Sequence, residues 1–386
     1  MDKISAKKTA GLTAAKIVFL VFLSLLFLLF LGIWVFLNVY NPSSELLDFP
    51  DLDEWDFLAG AFIEHGMEGE NRAENLDLSD MVNIDRKQGD SFIFLIVGRD
   101  ESGFLTDVIM LLHFNVKDSK IALLSIPRDS WINNGLYTGR INAALSSGFN
   151  AARRAGKDRD ESFLDGITFL RHVIRFTFGL PTDGYISMDL AGFRALVDAV
   201  GKVEVDVPQD MFYSDPLQNL HINLKKGLQE LDGRQAEQLV RFRSGYVDAD
   251  IGRIRTQQRF LAALARKMIR FDTRQMRNIS DVLATHVTTN LTAGHIVWFA
   301  AKVTEVGLEN IIMHTLPGEA AVTSGGASVL SLYAPESINI INEHYNPFLE
   351  EIPENNFKIY EIPNHRRYIQ YANLDGITMD SFMGTQ

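Results

Sequence analysis

Short apolar runs alternate with amphipathic stretches along the chain from about residue 91 to residue 349. Residues 92–97 form a continuous apolar run between polar residues, which is typical of a strand buried on both faces. Residues 108–116 and 120–127 are two similar runs. The short polar segment between them predicts a hairpin.

Helical periodicity follows these strands. Residues 142–154 and 162–178 carry apolar side chains at spacings of three and four, which predicts two helices. The later alternation predicts strands at 184–190, 203–208 and 311–316, and a strand pair or turn around 325–333. It also predicts one helix that ends at Gly201, one that starts near Asp232, and helices over 253–269, 276–286, 292–306 and 335–349. The fold class predicted is α/β, as a single three-layer-like domain with a mixed central β-sheet flanked by helices.

One transmembrane helix is predicted before this domain. Residues 17–37 carry no charge and match a bilayer of about 30 Å at about 1.5 Å per residue. Lysines precede the run and carboxylates follow it, which favours a cytoplasmic N-terminus and an extracytoplasmic main domain at the cytoplasmic membrane. A cleaved signal peptide is the alternative, but it has a shorter apolar core and small residues at its exit.

Charge divides the rest of the chain. Residues 41–90 contain fourteen Asp or Glu against three Lys or Arg, within a chain of net charge -12. The predicted organisation is therefore a cytoplasmic tail (1–16), an anchor (17–40), an acidic spacer (41–90), an α/β domain (91–350) and a C-terminal tail of unassigned structure (351–386). The absence of cysteine excludes disulfides, cysteine metal sites and thiol catalysis.

Several classes of function lack support in the sequence. Nucleic-acid binding is excluded by the predicted compartment and by the lack of an overall basic bias. Ser125 and Ser146 have no nucleophile-elbow motif, and the nine histidines show no HExxH spacing. Carboxylates and arginines remain, which are the groups that bind and transfer phosphorylated substrates.

Two aspartates lie near predicted strand ends. Asp100 follows the first strand and Asp107 immediately precedes the second. Ligands in α/β proteins often gather outside strand ends, where two carboxylates can hold a hard cation such as Mg2+. The alternative is that both aspartates only cap turns.

Isolated arginines carry less information. Arg128 follows a strand beside Asp129, and Arg140 precedes a helix. Each is also explained as a surface cation that pairs with a neighbour.

A denser group occupies residues 241–259, with five arginines in nineteen residues. Arg253 and Gln257 are four apart and share one helix face, whereas Arg255 shares a different face with Arg259. Arg241 and Arg243 flank Phe242, and in an extended segment both guanidiniums would point to one side. The guanidinium fork matches phosphate oxygens, so either helix pair could face a phosphorylated ligand, but at most one of the two pairs points inward and the other forms a solvated face.

In order, these motifs resemble the LytR–CpsA–Psr family. The segments are VGRD...TDVIMLLH, KIALLSIPRDSW, GRINAAL, DGYISMDLAGFRALVDAVGKVEVDVP, GLQELDGRQAEQLVRFR and DADIGRIRTQQRFLAAL. The resemblance implies a membrane-anchored phosphotransferase that moves a glycopolymer from a polyprenyl-(pyro)phosphate carrier to peptidoglycan or another surface acceptor.

The resemblance also implies roles for single residues. Asp100 and Asp107 match the family's Mg2+ ligands, and Arg128, Arg241, Arg243 and Arg253 match its catalytic arginines around the pyrophosphate. Gln257 lies beside the last of these, Arg140 stands where the family usually has Lys, and Arg99 is a further candidate for substrate binding.

The sequence departs from the family at three positions. Ser102, Leu105 and Thr256 stand where arginine is common. The Ser102 and Leu105 substitutions favour one alternative, a non-catalytic or regulatory scaffold that binds polyprenyl phosphate. A pyrophosphatase acting on the lipid carrier is a further alternative.

Overall fold

A computed structural model describes residues 42, 86–87, 90–100, 105–216, 220–246, 250–268, 273–363 and 376–383. The predicted anchor (17–40) and nearly all of the predicted spacer lie outside the described residues. Among the residues that are described, no helix is long and apolar enough to span a membrane. The predicted domain boundaries stay predictions.

The described chain alternates strands and helices. The strands are β1 (Ser91–Arg99), β2 (Thr106–Asn115), β3 (Lys120–Ser125), β4 (Trp131–Asn133), β5 (Thr138–Arg140), β6 (Gly184–Met188), β7 (Val203–Val207), β8 (Met211–Asp215), β9 (Leu220–Leu224), β10 (Gly227–Leu231), β11 (Val287–Thr289), β12 (Ile311–Thr315), β13 (Gly318–Val322), β14 (Ser328–Leu332) and β15 (Ile377–Thr378). The helices are α1 (Ala144–Arg154), α2 (Arg159–Phe178), α3 (Leu190–Val200), α4 (Gly233–Arg241), α5 (Asp250–Met268), α6 (Thr273–His286), α7 (Ala293–Val303) and α8 (Ala334–His344).

A mixed seven-stranded sheet forms the centre, in the order β11-β6-β1-β2-β3-β12-β15. The pairs β1–β6 and β3–β12 are parallel, and the others are antiparallel, including the predicted β2–β3 hairpin. Strand β15 adds an edge strand from the C-terminal segment whose structure the sequence had left unassigned.

Both faces of the sheet are covered by helices. On one face Ile93, Leu95 and Val97 pack with residues of α1, α2 and α8, and on the other Phe92 and Phe94 pack with residues of α5 and α7. Burial on both sides explains why β1 is apolar throughout instead of alternating with polar residues. The predicted α/β class, with a mixed central sheet flanked by helices, is confirmed.

A third apolar cluster lies beside the sheet. It contains residues of α3–α6, of the β7–β10 pair and of the β8–β9 hairpin. Asp232 caps α4 by accepting from the backbone N–H of Gln235 at 2.9 Å, which confirms the predicted start of this helix. The segment Gly227–Leu231 that precedes this cap is a strand. The β8–β9 hairpin was not predicted.

Candidate functional site

The turn between β1 and β2 positions the two predicted metal-binding aspartates. Gly98 of β1 pairs with Val108 of β2, and the next residue, Arg99, pairs with Thr106. Asp107 is skipped in this pairing and is therefore the extra residue of a β-bulge. Bulges bend a strand and redirect a side chain. The backbone N–H of Asp100 donates to Leu105 O at 2.9 Å, and Asp100 Oδ1 accepts from the backbone N–H of Leu105 at 3.1 Å. These bonds hold Asp100 opposite the bulge.

Gly98 permits the close approach of the two strands at this point. A Cβ on Gly98 would lie 3.0 Å from the Cβ of Val108. Such a contact is tighter than ordinary packing, so the neighbouring residue would have to shift. The glycine therefore helps to place the bulge that carries Asp107.

A cavity of about 550 Å³ opens beside this turn. Its charged lining consists of the side chains of two aspartates and four arginines, namely Asp100, Asp107, Arg128, Arg241, Arg243 and Arg253. Gln257 lines it as well. Seven of the nine site residues predicted from the sequence are thus brought to one cavity, from β2, α4, α5 and the segments that directly follow β1, β3 and α4.

Asp107 is the centre of an ion-pair group. Its carboxylate contacts the guanidinium of Arg128, and Arg243 Nη2 lies 3.7 Å from its Oδ1. Arg128 also approaches Asp129, with 3.7 Å between Nε and Oδ2. Shared pairing of this kind holds the Arg128 guanidinium over the cavity.

Glu237 positions a second arginine. Its carboxylate lies 2.8 Å from Arg241 Nη1, one helical turn away on α4, and 2.6 Å from Arg194 Nη1 on α3. The backbone of Phe242 is extended directly after α4, and its side chain is buried. Arg241 and Arg243 therefore flank the buried Phe242 in sequence, and both line the cavity. Glu237 and Arg241 are four residues apart, and this spacing on a helix is the sequence signal that could have predicted their ion pair.

Helix α5 separates the remaining arginines as its periodicity predicted. Arg253 is only 3% exposed and lines the cavity with Gln257, whose Nε2 donates to Val240 O at 3.1 Å. Arg255 is exposed, and Arg259 lies 4.0 Å from the Asp206 carboxylate. The two helix faces thus have different environments.

Two predicted substrate-binding residues do not line this cavity. The guanidinium of Arg99 lies 4.8 Å from the ring centre of Phe163 on α2, and burial lowers the pKa of Arg99 against the opposing effect of Asp189. Arg140 donates through Nη2 to Ser328 O at 2.7 Å and lies 4.0 Å from Asp129. Both arginines have contacts of their own away from the cavity.

The positions that depart from the family pattern have different surroundings. Leu105 is 40% exposed at the cavity rim. Thr256 is buried, and its hydroxyl lies 2.7 Å from that of Tyr246. Ser102 lies outside the described residues.

Besides Leu105, uncharged residues that the sequence did not single out complete the lining, namely Val108, Leu190, Tyr213, Leu220, Val240 and Ser244. Tyr213 and Leu220 come from the β8–β9 hairpin. The period-two alternation of LHINL was the signal that could have revealed it.

The donor set is compatible with a hard cation. Asp100 and Asp107 both line the cavity, and Mg2+ accepts few protein ligands while keeping water or phosphate oxygens. Among the described residues no group of three or more His, Asp or Glu forms a metal cage. Two carboxylates that line this cavity fit an ion whose other ligands come from water or from a bound ligand.

The chain is similar in sequence to proteins that are named as teichoic acid transferases or cell wall biosynthesis proteins. The chain is 28% identical over 240 residues to the polyisoprenyl-teichoic acid–peptidoglycan teichoic acid transferase TagU of Oceanobacillus iheyensis, covering 60% of this chain and 69% of that protein. It is 30% identical over 246 residues to the probable cell wall biosynthesis protein LcpB of Corynebacterium glutamicum, covering 61% and 53%. With the transferase TagV of Bacillus subtilis, it shares 32% over 168 residues, covering 42% and 39%. The matched segments thus span little more than half of LcpB and less than half of TagV.

Solved structures show the same fold. The structure of B. subtilis TagV aligns with a TM-score of 0.54 at 21% identity, covering 67% of this chain and 99% of that one. Protein gbs0355 of Streptococcus agalactiae aligns with a TM-score of 0.55 at 19% identity, covering 77% and 95%. TagT bound to LIIa-WTA aligns with a TM-score of 0.52 at 22% identity, covering 67% and 91%.

The family model for LytR_cpsA_psr matches residues 59–344. This match extends over more than half of the sequence and includes every residue of the cavity. The chain therefore belongs to the LytR–CpsA–Psr family.

Proposed function

We propose that this protein is a phosphotransferase that moves a glycopolymer from a polyprenyl diphosphate carrier to a hydroxyl group of peptidoglycan or another surface glycan. The observation that carries the proposal is the single cavity lined by two carboxylates and four guanidiniums. The relatives named as teichoic acid transferases support a glycopolymer as the transferred group. The uncharged run at residues 17–37 supports action at the outer face of the cytoplasmic membrane.

The charge of the cavity favours a diphosphate. The guanidiniums of Arg128, Arg241, Arg243 and Arg253 outnumber the two aspartates that share the lining. An excess of positive charge in a concave site concentrates anions, and arginine binds phosphate oxygens through two N–H groups at once. The same arginines stabilise the charge that develops on the leaving phosphate.

The reaction is a displacement at phosphorus. The acceptor hydroxyl oxygen attacks the phosphorus that carries the sugar, and the bond from this phosphorus to the bridging oxygen breaks. The bridging oxygen leaves with the polyprenyl monophosphate, the product is a phosphodiester between glycan and acceptor, and the hydroxyl proton passes to a cavity carboxylate or to water. Mg2+, held by Asp100 and Asp107, would supply further positive charge for the diphosphate.

Transfer by the purified full chain tests this proposal. A polyprenyl-diphosphate oligosaccharide, an acceptor oligosaccharide and Mg2+ should give a phosphodiester-linked product, and Asp107→Asn should lower kcat by about a hundredfold or more, since a neutral amide neither pairs with Arg128 nor binds Mg2+ equally well. Asp118→Asn, in the exposed turn between β2 and β3, is the matched control and should leave the rate unchanged.

Two other outcomes would replace the proposal. Release of phosphate from the donor without transfer would identify a pyrophosphatase, and binding without turnover would identify a scaffold. Ser102 and Leu105, which occupy positions where the family commonly has arginine, are the residues that favour the scaffold.

A further inference from the structure

The rim of the cavity differs from its floor. Arg253 and Arg241 on the floor are 3% and 13% exposed, whereas Leu105, Tyr213 and Arg243 at the rim are between 40% and 44% exposed. A volume of about 550 Å³ suits a ligand of small-molecule size, such as a diphosphate with a sugar unit. A glycopolymer bound through its terminal phosphate would therefore leave the cavity across this rim.

Tyr213 provides an aromatic ring at the rim. It lies in β8 opposite Ile222 of β9, and its side chain lines the cavity while remaining 42% exposed. A tyrosine ring has an electron-rich face and a polar hydroxyl, so it suits a partner that is apolar on one side and hydrated on the other. The C–H face of a pyranose has this property. A prenyl chain would favour a surface removed from water.

The hairpin is fixed relative to the arginines. Leu220, Ile222 and Leu224 of β9 are buried in the same apolar cluster as Leu239 of α4. The backbone N–H of Asn223 donates to Gln238 Oε1, also on α4, at 2.9 Å. Since α4 carries Arg241, the ring of Tyr213 is held at a defined position beside the phosphate-binding guanidiniums.

We infer that Tyr213 forms a glycan subsite at the cavity rim, where its ring stacks on the sugar next to the transferred phosphate. This subsite rests on the proposed function for its biological role, but its affinity for sugar is measurable without any turnover. The sugar belongs either to the donor, as the unit attached to the diphosphate, or to the acceptor. Both present the same pyranose chemistry to the ring.

Binding to two probes tests the subsite. The full chain, purified in detergent, is titrated with farnesyl diphosphate and with farnesyl diphosphate that carries N-acetylglucosamine. If the ring contacts the donor sugar, Tyr213→Ala should weaken binding of the sugar-bearing probe about tenfold and leave the sugar-free probe unchanged, whereas Tyr213→Phe should bind both like the wild type.

Phe212 offers a matched control from the same strand. It is 52% exposed on the opposite face of β8, and its ring centre lies 4.5 Å from Lys225 Nζ. Phe212→Ala removes an exposed aromatic ring of similar size from the same hairpin. It should leave binding of both probes unchanged.

A second arm distinguishes the two sources of the sugar. If Tyr213→Ala instead weakens binding of the acceptor oligosaccharide and leaves both farnesyl probes unchanged, the ring holds the acceptor sugar. Equal weakening of both farnesyl probes would show contact with lipid or phosphate and would overturn the subsite, as would no change for any of the ligands. A wild-type protein without transfer activity, but with the sugar-dependent contrast intact, would overturn the proposed function alone.

Discussion

Strand β2 carries a charged group near one end and a neutral histidine near the other. Asp107 lies at its start and His113 six residues later, roughly 20 Å away along an extended strand. Asp107 faces an open cavity with Arg128 and Arg243 as partners. His113 is buried, its Nδ1 donates to His344 O at 2.7 Å, and its Nε2 is bonded to the Ser91 hydroxyl at 2.7 Å.

The histidine region, defined here as His113, His314 and His344, lies between the sheet and α8. The rings of His314 and His344 stack with 4.4 Å between their centres, and His314 Nδ1 is bonded to the hydroxyl of Tyr345 at 2.9 Å. Burial lowers the pKa of His113 to about 4 and that of His314 to about 4. The neutral ring is favoured because burial removes the hydration of the charged form, and Lys87 and Arg86 lower the pKa of His113 further.

The difference shows what decides whether a titratable group keeps its charge. Around Asp107, opposite charges and access to water make charged side chains tolerable, so four guanidiniums and two carboxylates line one cavity. Around His113, burial makes the charged form costly, so the groups act as hydrogen-bonding core residues. The first region is suited to binding, and the second contributes to stability.

The largest effect is expected from pH on the histidine region. The folded pKa values of about 4 lie below the ordinary value of 6.5, so the unfolded chain binds more protons between these limits. The free energy of unfolding should therefore fall as the pH is lowered from about 6.5 to about 4, by ~1.4 kcal/mol per pH unit for each histidine. Urea unfolding at a series of pH values measures this slope.

Replacing a buried histidine separates its contribution to this pH dependence of the unfolding free energy from the contributions of other titratable groups. His314→Gln should reduce the dependence of the unfolding free energy on pH by the contribution of one histidine. Identical slopes in the wild type and in His314→Gln would show that burial of His314 is not linked to proton uptake.

A large effect on activity is expected from Arg253 in the cavity. Arg253→Ala should lower kcat/KM for transfer by about a hundred- to a thousandfold, because a buried guanidinium that faces the developing charge is removed. Arg255→Ala, two residues along α5 on its exposed face, should change kcat/KM by less than about twofold.

Arg253→Lys covers the case in which the alanine variant fails to fold. It retains the charge but loses the planar fork, so an intermediate loss of activity is expected with an unchanged melting temperature. An equal decrease of kcat/KM in Arg253→Ala and Arg255→Ala would contradict the division of α5 into a cavity face and a solvent face.

The smallest effect is expected from adding charge at the rim. Leu105→Arg should tighten the binding of farnesyl diphosphate by about fivefold, since one more charge-assisted hydrogen bond becomes available. Leu164→Arg, on the exposed face of α2 and outside the cavity lining, adds the same charge elsewhere and should have no effect on the dissociation constant. If the two variants bind alike, overall charge and not cavity position governs affinity.

Local pattern predicted much of the architecture. The apolar run of β1, the β2–β3 hairpin and the cap at Asp232 depend on neighbouring residues, so they were readable from the sequence. The division of α5 was equally local, because residues four apart share a helix face. The β8–β9 hairpin was missed because the strands are short and the alternation of β8 is broken by exposed Phe212 and Tyr213.

Tertiary structure decided which side chains share the cavity. Asp107 and Arg241 are far apart in sequence, and their meeting depends on the packing of α4 beside the sheet as well as on the bulge at β2. Arg99 and Arg140 have the same chemistry as the lining arginines, but a stacking ring and a carbonyl oxygen hold them elsewhere. Residue type and local spacing thus determined which charged side chains were available for a site. Strand register and helix packing determined which of these side chains meet in the cavity, because contacts between distant segments leave no periodic signal along the chain.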